Sequence, residues 1–282
     1  MKEFVLNNGI KMPSIGIGTF LLEPKDAENS VKVALKDGYR LIDTANAYMN
    51  ERAVGRGIIA SGIKREEIFV STKLWPIEYE NENAIDETLE RLNLDYIDLL
   101  FLHQPAGNWK AGYKMLEKAY KEGKIKAIGI SNFEGEYIEE LLKMCEIVPQ
   151  VIQVECHPYF PQDELRKIID EKNIRIMSWY PLGGKGNTQK LLNEPVIKEI
   201  ASVHQKTPAQ IALKWHIQMG FIVIPGSKNE EHIKDNFNIF DFDLSGEKMK
   251  KIATLNEGNR FYIRDEKQLN VFALWQPTYE EK

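Results

Sequence analysis

The sequence predicts an α/β fold, a (β/α)8 TIM barrel preceded by an N-terminal β-hairpin. Three observations carry that expectation. Eight short apolar runs alternate with longer segments of helical period. The chain has 282 residues, 43% of them hydrophobic, a length that suits one such barrel. Polar residues gather at the C-terminal ends of the apolar runs, where barrel enzymes place their chemistry.

The hairpin comes first. Phe4-Val5-Leu6 and Ile10-Lys11-Met12 flank Asn7-Asn8-Gly9, and Asn-Gly supplies the positive φ angles of a tight primed turn. The strand-like runs then cover residues 15–19, 41–44, 68–73, 97–103, 126–132, 151–155, 175–179 and 221–224. Between them, Ala27, Val31, Ala34 and Leu35 form one apolar helical stripe, and Ala84, Ile85, Thr88, Leu89 and Leu92 form another. Thr207-Pro208 reads as an N-cap followed by proline in the first turn, and Gly220 as the end of that helix. Eight strands alternating with helices point to a parallel sheet with helical crossovers. Closure into a barrel leaves no sheet edge, whereas a doubly wound open sheet is the competing architecture. No linker or low-complexity segment interrupts the chain, so residues 1–282 are read as one domain. The tail, residues 259–282, carries Phe261, Tyr262, Phe272, Trp275 and Tyr279 without a clear period and is expected to be an ordered loop laid on the barrel.

Composition excludes several classes of partner. There are 37 Lys+Arg against 42 Asp+Glu, a net charge of -5, so no broad basic face is available for nucleic acid. No run approaches the roughly 18 consecutive apolar residues of a membrane span. Met1-Lys2-Glu3-Phe4 does not open a signal peptide. Two cysteines, Cys145 and Cys156, cannot build a disulfide framework; one bridge is arithmetically open, but a reduced, cytoplasmic chain is the expectation. Cys156-His157 has no second ligand pair, so no metal is expected.

The strand ends are where chemistry is expected. The second run ends in Asp43-Thr44 with Tyr48 close behind, the third in Lys73, the fourth in His103. The fifth ends in Ser131-Asn132, the sixth holds Gln153 and Glu155, and the seventh ends in Ser178-Trp179. A barrel brings all of them to one mouth. A free phenol, with a pKa of about 10, is a poor acid at neutral pH. A nearby ammonium favours the phenolate, and a carboxylate beside the ammonium holds it charged and in place. Asp43, Tyr48, Lys73 and His103 therefore suit protonation of a carbonyl oxygen that His103 orients. Each alone has a plainer reading: a rim ion pair, a packed aromatic, a structural histidine. Joint placement on successive strand ends favours the catalytic one. The set lacks a hydride source, so a cofactor is implied.

At these residues the sequence resembles the aldo-keto reductase family. The segments Asp43-Thr44-Ala45-Asn46-Ala47-Tyr48-Met49-Asn50-Glu51, Ser71-Thr72-Lys73-Leu74-Trp75, Leu102-His103-Gln104-Pro105, Gly129-Ile130-Ser131-Asn132-Phe133 and Gln153-Val154-Glu155-Cys156-His157-Pro158-Tyr159 carry the likeness. The resemblance implies reduction of aldehydes or ketones, small-molecule carbonyls, by NADPH, with NADH as the less common reductant. It implies Tyr48 as general acid, Lys73 lowering its pKa, Asp43 pairing with Lys73, and His103 orienting the substrate. Ser131, Asn132 and Gln153 would hold the nicotinamide carboxamide, Trp179 would stack on its ring, and Leu182 and Gly183 would approach the pyrophosphate. At the adenosine end, Ser227, Lys228, Asn229, His232, Asp235 and Asn236 occupy the corresponding stretch. Gly226 and His232 stand where the family places basic residues, and imidazole lacks the fixed charge and planar fork of arginine. Lys228 is the remaining candidate for a phosphate, so NADH is expected as an alternative to NADPH. Phe20, Trp75, Gln104 and Trp275 would line the substrate pocket, Gln104 making one wall more polar, and short mouth loops would leave the site open. A monomer is expected, an oligomer being left open. Two other readings compete: a lyase using Lys73 as a Schiff-base nucleophile, and a cofactor-binding regulatory subunit.

Overall fold

In a computed structural model, which describes residues 2–184 and 186–280, the chain forms the barrel. Met1, Lys185, Glu281 and Lys282 lie outside the described residues. The hairpin strands are β1 (Glu3–Val5) and β2 (Lys11–Pro13). The barrel strands are β3 (Ile17–Gly18), β4 (Leu41–Asp43), β5 (Phe69–Leu74), β6 (Leu99–Leu102), β7 (Ile128–Ser131), β8 (Val151–Glu155), β9 (Arg175–Trp179) and β10 (Ile222–Val223). Strands β3 to β10 lie side by side in chain order, every pair parallel. The ring closes where Ile15 pairs in parallel with Val223. The open-sheet alternative is thereby set aside.

The first strand is shorter than the expected 15–19 because it serves two neighbours. Ser14 and Gly16 bond the Val223 backbone, while Ile17 and Gly18 pair with Ile42 and Asp43. Glycine is needed at this seam: a Cβ on Gly18 would lie 2.7 Å from the Ile224 carbonyl oxygen, and one on Gly226 would lie 2.9 Å from that of Gly18.

The hairpin register pairs Phe4 with Met12, but its turn differs from the primed one expected. Only Gly9 has a positive φ, 88°, and Gly9 N–H bonds to Leu6 O while Leu6 N–H bonds to Ile10 O. That is a three-residue loop ending in a left-handed glycine. Asn7 donates to the carbonyls of Pro149 and Lys172, and Asn8 to that of Lys126, all just ahead of barrel strands. The hairpin therefore closes the end of the barrel opposite the strand C-termini.

The helical stripes face the sheet as expected. Ala27, Val31, Ala34 and Leu35 of helix Pro24–Lys36 are buried, as are Ala84, Ile85, Thr88 and Leu92 of helix Ala84–Leu92. Thr207 caps helix Pro208–Gln218 through a reciprocal bond with Gln210, and Gly220 (φ 86°) follows its end. Strand β5 displays the period of two directly. Ser71 and Lys73 reach Asp43 at the barrel axis, while Thr72 reaches outward to Glu51, itself paired with Arg91 at 2.7 Å.

The tail departs from the expected loop. It contains a helix, Glu266–Leu274, whose N-cap Asp265 accepts from Gln268 N–H. Its period was illegible because only Leu269 of that helix is buried, while Val271 and Leu274 face solvent. Beyond it, Tyr279 donates to Glu78, and Glu280 binds Arg56 and the Ala53 N–H at the start of helix Glu51–Ser61. Cys145 and Cys156 are both free. No helix among the described residues is long and apolar enough to cross a membrane, and none of their His, Cys, Asp and Glu clusters suits a metal.

Packing inside the barrel is tight enough to test. The Phe101 ring lies across Gly129, where an added Cβ would sit 2.3 Å from Cδ1. Gly129→Ala is expected to destabilise the protein by about 1–3 kcal/mol, read from urea unfolding, and Phe101→Leu in that background to restore part of the loss. An unchanged midpoint would show that the ring moves aside freely.

Candidate active site

The residues expected to act together are brought together. Lys73 and Asp43 are 0% and 1% exposed, and Nζ donates to Asp43 Oδ2 at 2.6 Å and to Thr44 O at 2.7 Å. The other carboxylate oxygen accepts from Ser71 Oγ at 2.8 Å and Gln153 Nε2 at 3.1 Å. The ammonium stands 4.9 Å from the centre of the Tyr48 ring. Tyr48 is the last residue of a short 3-10 turn, Asn46–Tyr48, that the left-handed Met49 caps. Its ring lies 5.6 Å from His103, edge to face, and 4.9 Å from Phe20.

Electrostatics correct one expectation. Burial, with Asp43 and Tyr180 adding to it, raises the Tyr48 phenol well above its ordinary value rather than lowering it. Although the ring's edge reaches the mouth, protein surrounds it closely enough to desolvate a phenolate. Asp43 answers most of the Lys73 charge, so the pair acts on Tyr48 as a dipole. Tyr48 is thus a phenol at neutral pH, with its proton in place. Burial also pulls the Lys73 amine down, opposed by Asp43, and pulls His103 well below its ordinary value, Lys73 adding to that effect. His103 is a neutral imidazole at neutral pH.

The site holds unsatisfied polar atoms. Of the eight buried side-chain N or O atoms without a partner among the described residues, two are His103 Nδ1 and Trp75 Nε1. Their rings meet edge to face at 4.9 Å. Such orphans are uncommon and point to a place where a ligand completes the hydrogen bonding.

The cofactor candidates line the strand ends next to this group. Ser131, Asn132 and Gln153 are buried. Asn132 Nδ2 donates to Ser131 Oγ at 3.2 Å, and its Oδ1 accepts from Trp179 Nε1 at 3.0 Å. These neutral amides and a hydroxyl fit a carboxamide, which needs both donors and acceptors. Trp179 ends β9. Tyr180 follows in the left-handed region, and Leu182 and the left-handed Gly183 (φ 88°) come next. Among the described residues, five of the eight non-glycine residues with positive φ, Leu21, Met49, Asn132, Gln162 and Tyr180, are on loops at this end of the barrel. Such strain in a leucine or tyrosine costs about 1–3 kcal/mol and clusters at functional sites.

At the adenosine end, Asn229 caps helix Glu230–Phe237 by accepting from Glu231 and His232 N–H. Ser227 Oγ bonds the Asn229 backbone. His232 and Asp235 are exposed and Asn236 is buried. Lys228 extends into solvent and meets Asp26 at 3.4 Å. Among the described residues, no arginine is hydrogen-bonded or ion-paired to this stretch.

Among the substrate candidates, Phe20 packs on Tyr48, Trp75 on His103, and Trp275 on Trp75 at 5.3 Å. Gln104, the expected polar wall, is buried and held on every side. Its side-chain oxygen accepts from Arg264, and its backbone N–H and C=O are both bonded by the Tyr79 hydroxyl. The mouth is less open than expected, because Phe272 and Trp275 of the tail both pack on Trp75. Sequence reasoning missed Arg264, Phe272 and Tyr180; the tail pair lies 160 and 197 positions from its partners Gln104 and Trp75, so no local pattern marks it.

The aldo/keto reductase family model matches residues 14–257. The chain belongs to the aldo-keto reductase family. This reductase is 46% identical over 260 residues to a glyoxal reductase of Bacillus subtilis, covering 90% of this chain and 93% of that one. It is 44% identical over 264 residues to a 9,11-endoperoxide prostaglandin H2 reductase of Trypanosoma cruzi, covering 90% and 92%. Its fold matches the crystal structure of an aldo-keto reductase enzyme from a Medee basin deep-sea metagenome library with a TM-score of 0.90 at 42% identity, covering 93% and 98%. The reductase is therefore an oxidoreductase of carbonyl groups, in a family that uses NAD(P)H.

The buried pair itself is testable. Lys73→Met leaves the Asp43 carboxylate buried without its cation, an expected loss of about 3–5 kcal/mol in urea unfolding. Asp43→Asn combined with Lys73→Met is expected to recover part of it. Equal stability of the wild type and the single variant would mean that the carboxylate is solvated.

Proposed function

We propose that this reductase converts an aldehyde or ketone to an alcohol, with the Tyr48 hydroxyl as proton donor to the carbonyl oxygen. The observation that carries the reading is the Lys73 ammonium, locked on Asp43 at 2.6 Å and standing 4.9 Å from the Tyr48 ring. A reduced nicotinamide supplies the hydride to the carbonyl carbon when bound, held by Ser131, Asn132, Gln153 and Trp179. Neutral His103 donates a hydrogen bond to the same carbonyl oxygen and orients it. As the oxygen takes up negative charge, Tyr48 gives its proton, and Lys73 stabilises the phenolate that remains. Solvent then restores the Tyr48 proton.

A Schiff-base lyase is the weaker alternative. Burial lowers the Lys73 pKa, which would help a nucleophilic amine. Yet Nζ is 0% exposed and committed to Asp43 and Thr44, so a substrate carbonyl has no approach to it.

We further infer that NADPH is accepted, with NADH bound to within about tenfold. Lys228 is an exposed cation in the stretch expected to meet the 2′-phosphate, held only by Asp26 at 3.4 Å, and an exposed charge contributes modestly. Glu230 and Glu231 open the adjacent helix and oppose a second phosphate charge. His232→Arg is expected to tighten NADPH over NADH by about tenfold in fluorescence titrations. No change in that ratio would place the phosphate elsewhere.

Tyr48→Phe tests the main reading. Reduction of a simple aldehyde is expected to fall by about 10²–10⁴ in kcat/KM while quenching of tryptophan fluorescence by the reduced dinucleotide persists. Turnover at the wild-type rate would remove Tyr48 from the chemistry.

A further inference from the structure

The loops beside this site hold an arginine that makes no ion pair among the described residues, the Glu134 carboxylate acting on it only from longer range. Arg264 precedes the N-cap of the tail helix and reaches back over the barrel. One arm donates to Gln104 Oε1 at 2.9 Å and the other to Asn132 O at 3.0 Å. Both acceptors are neutral, and no carboxylate lies within ion-pairing distance among the described residues. The nearby acids are already engaged. Glu134 pairs with Arg260 at 2.5 Å and accepts from Gln162. Glu155 accepts from the N–H groups of Phe261 and Tyr262 and lies 3.0 Å from His157 Nε2. Burial disfavours the charged guanidinium, which nevertheless stays protonated because its ordinary pKa is so high.

Its position relates it to the carbonyl site. Gln104 directly follows His103, and the Tyr79 hydroxyl pins its backbone from both sides. The Asn132 amide stands 3.4 Å from the His103 carbonyl. The guanidinium thus spans the loops after β6 and β7, the two that carry His103 and Asn132. Two of its five N–H donors are used, leaving the rest for an anion. The aromatic candidates for the pocket wall carry no charge: Phe20 packs on Tyr48, and Trp275 packs on Trp75.

We propose that Arg264 is a specificity-determining residue, and that it selects aromatic aldehydes and 2-oxo acids bearing a carboxylate near the reacting carbonyl. The carboxylate completes the coordination of the partly buried guanidinium through charge-assisted hydrogen bonds, while the aryl body lies against the aromatic walls. The inference rests on the carbonyl-reductase reading above and adds the charge of the substrate to it.

The test compares 3-formylbenzoate, 3-methylbenzaldehyde and a 3-trimethylammonio-benzaldehyde with the wild type. The expected order of kcat/KM follows charge, anion first, with the anion favoured over the neutral compound by at least about tenfold. In Arg264→Gln the ratio of anion to neutral substrate is expected to fall by about tenfold, mainly through KM, and Arg264→Lys to retain part of it. Benzoate binding, read by tryptophan fluorescence, should weaken in parallel. A wild type indifferent to substrate charge, or an Arg264→Gln protein that loses both substrates in equal proportion, overturns the inference and leaves the reductase reading standing. A wild type that reduces none of the three, nor any simple aldehyde, defeats the reductase reading and this inference with it.

Discussion

The site depends on one ion pair with no access to water. Lys73 and Asp43 face each other across adjacent strands β5 and β4, inside a barrel whose other interior residues are largely apolar. Two charges withdrawn from solvent are tolerated only when each finds further partners. Here Thr44 O completes the ammonium, and Ser71 and Gln153 complete the carboxylate. Those partners sit on β5, on β8 and directly after β4, so the pair ties together walls of the barrel that are distant in sequence. It fixes the ammonium beside Tyr48 regardless of what else binds.

This arrangement explains how a phenol serves as an acid without being acidic at rest. Burial keeps Tyr48 protonated, and the Lys73–Asp43 dipole contributes little until negative charge appears on the ring. The ammonium is then already in place, with no side chain to reorganise. The tail completes the enclosure. Glu155 holds Phe261 and Tyr262, Arg264 holds the loops after β6 and β7, and Glu280 returns to the helix after β4. Between those anchors Phe272 and Trp275 rest on Trp75, so the pocket wall is made by residues remote from the catalytic strands.

Much of the fold was legible because it rests on local rules. Runs of buried β residues, stripes such as Ala27-Val31-Ala34-Leu35, and the Thr207-Pro208 cap each announce their element within a few residues. The catalytic cluster was legible for a different reason: a parallel barrel sends every strand end to the same rim, so Asp43, Lys73 and His103 need no contact map to be gathered. The tail was not legible. Helix Glu266–Leu274 buries only Leu269, so its apolar residues do not form one stripe, and Arg264 acts on partners more than 130 positions away. The direction of the Tyr48 shift was also missed. Spacing places an ammonium near a phenol, but it does not say how much of that charge Asp43 consumes or how far water is excluded.

The most direct test follows the reaction backwards. Alcohol oxidation requires Tyr48 to accept a proton, so its rate should rise with pH through the phenol's ionisation in the ternary complex. The profile measured with the wild type and with Lys73→Met at saturating oxidised dinucleotide separates the contributions. The account predicts a basic limb whose midpoint moves to higher pH when the ammonium is removed and which is absent in Tyr48→Phe. A midpoint that stays in place without Lys73, or a limb that survives in Tyr48→Phe, would contradict it.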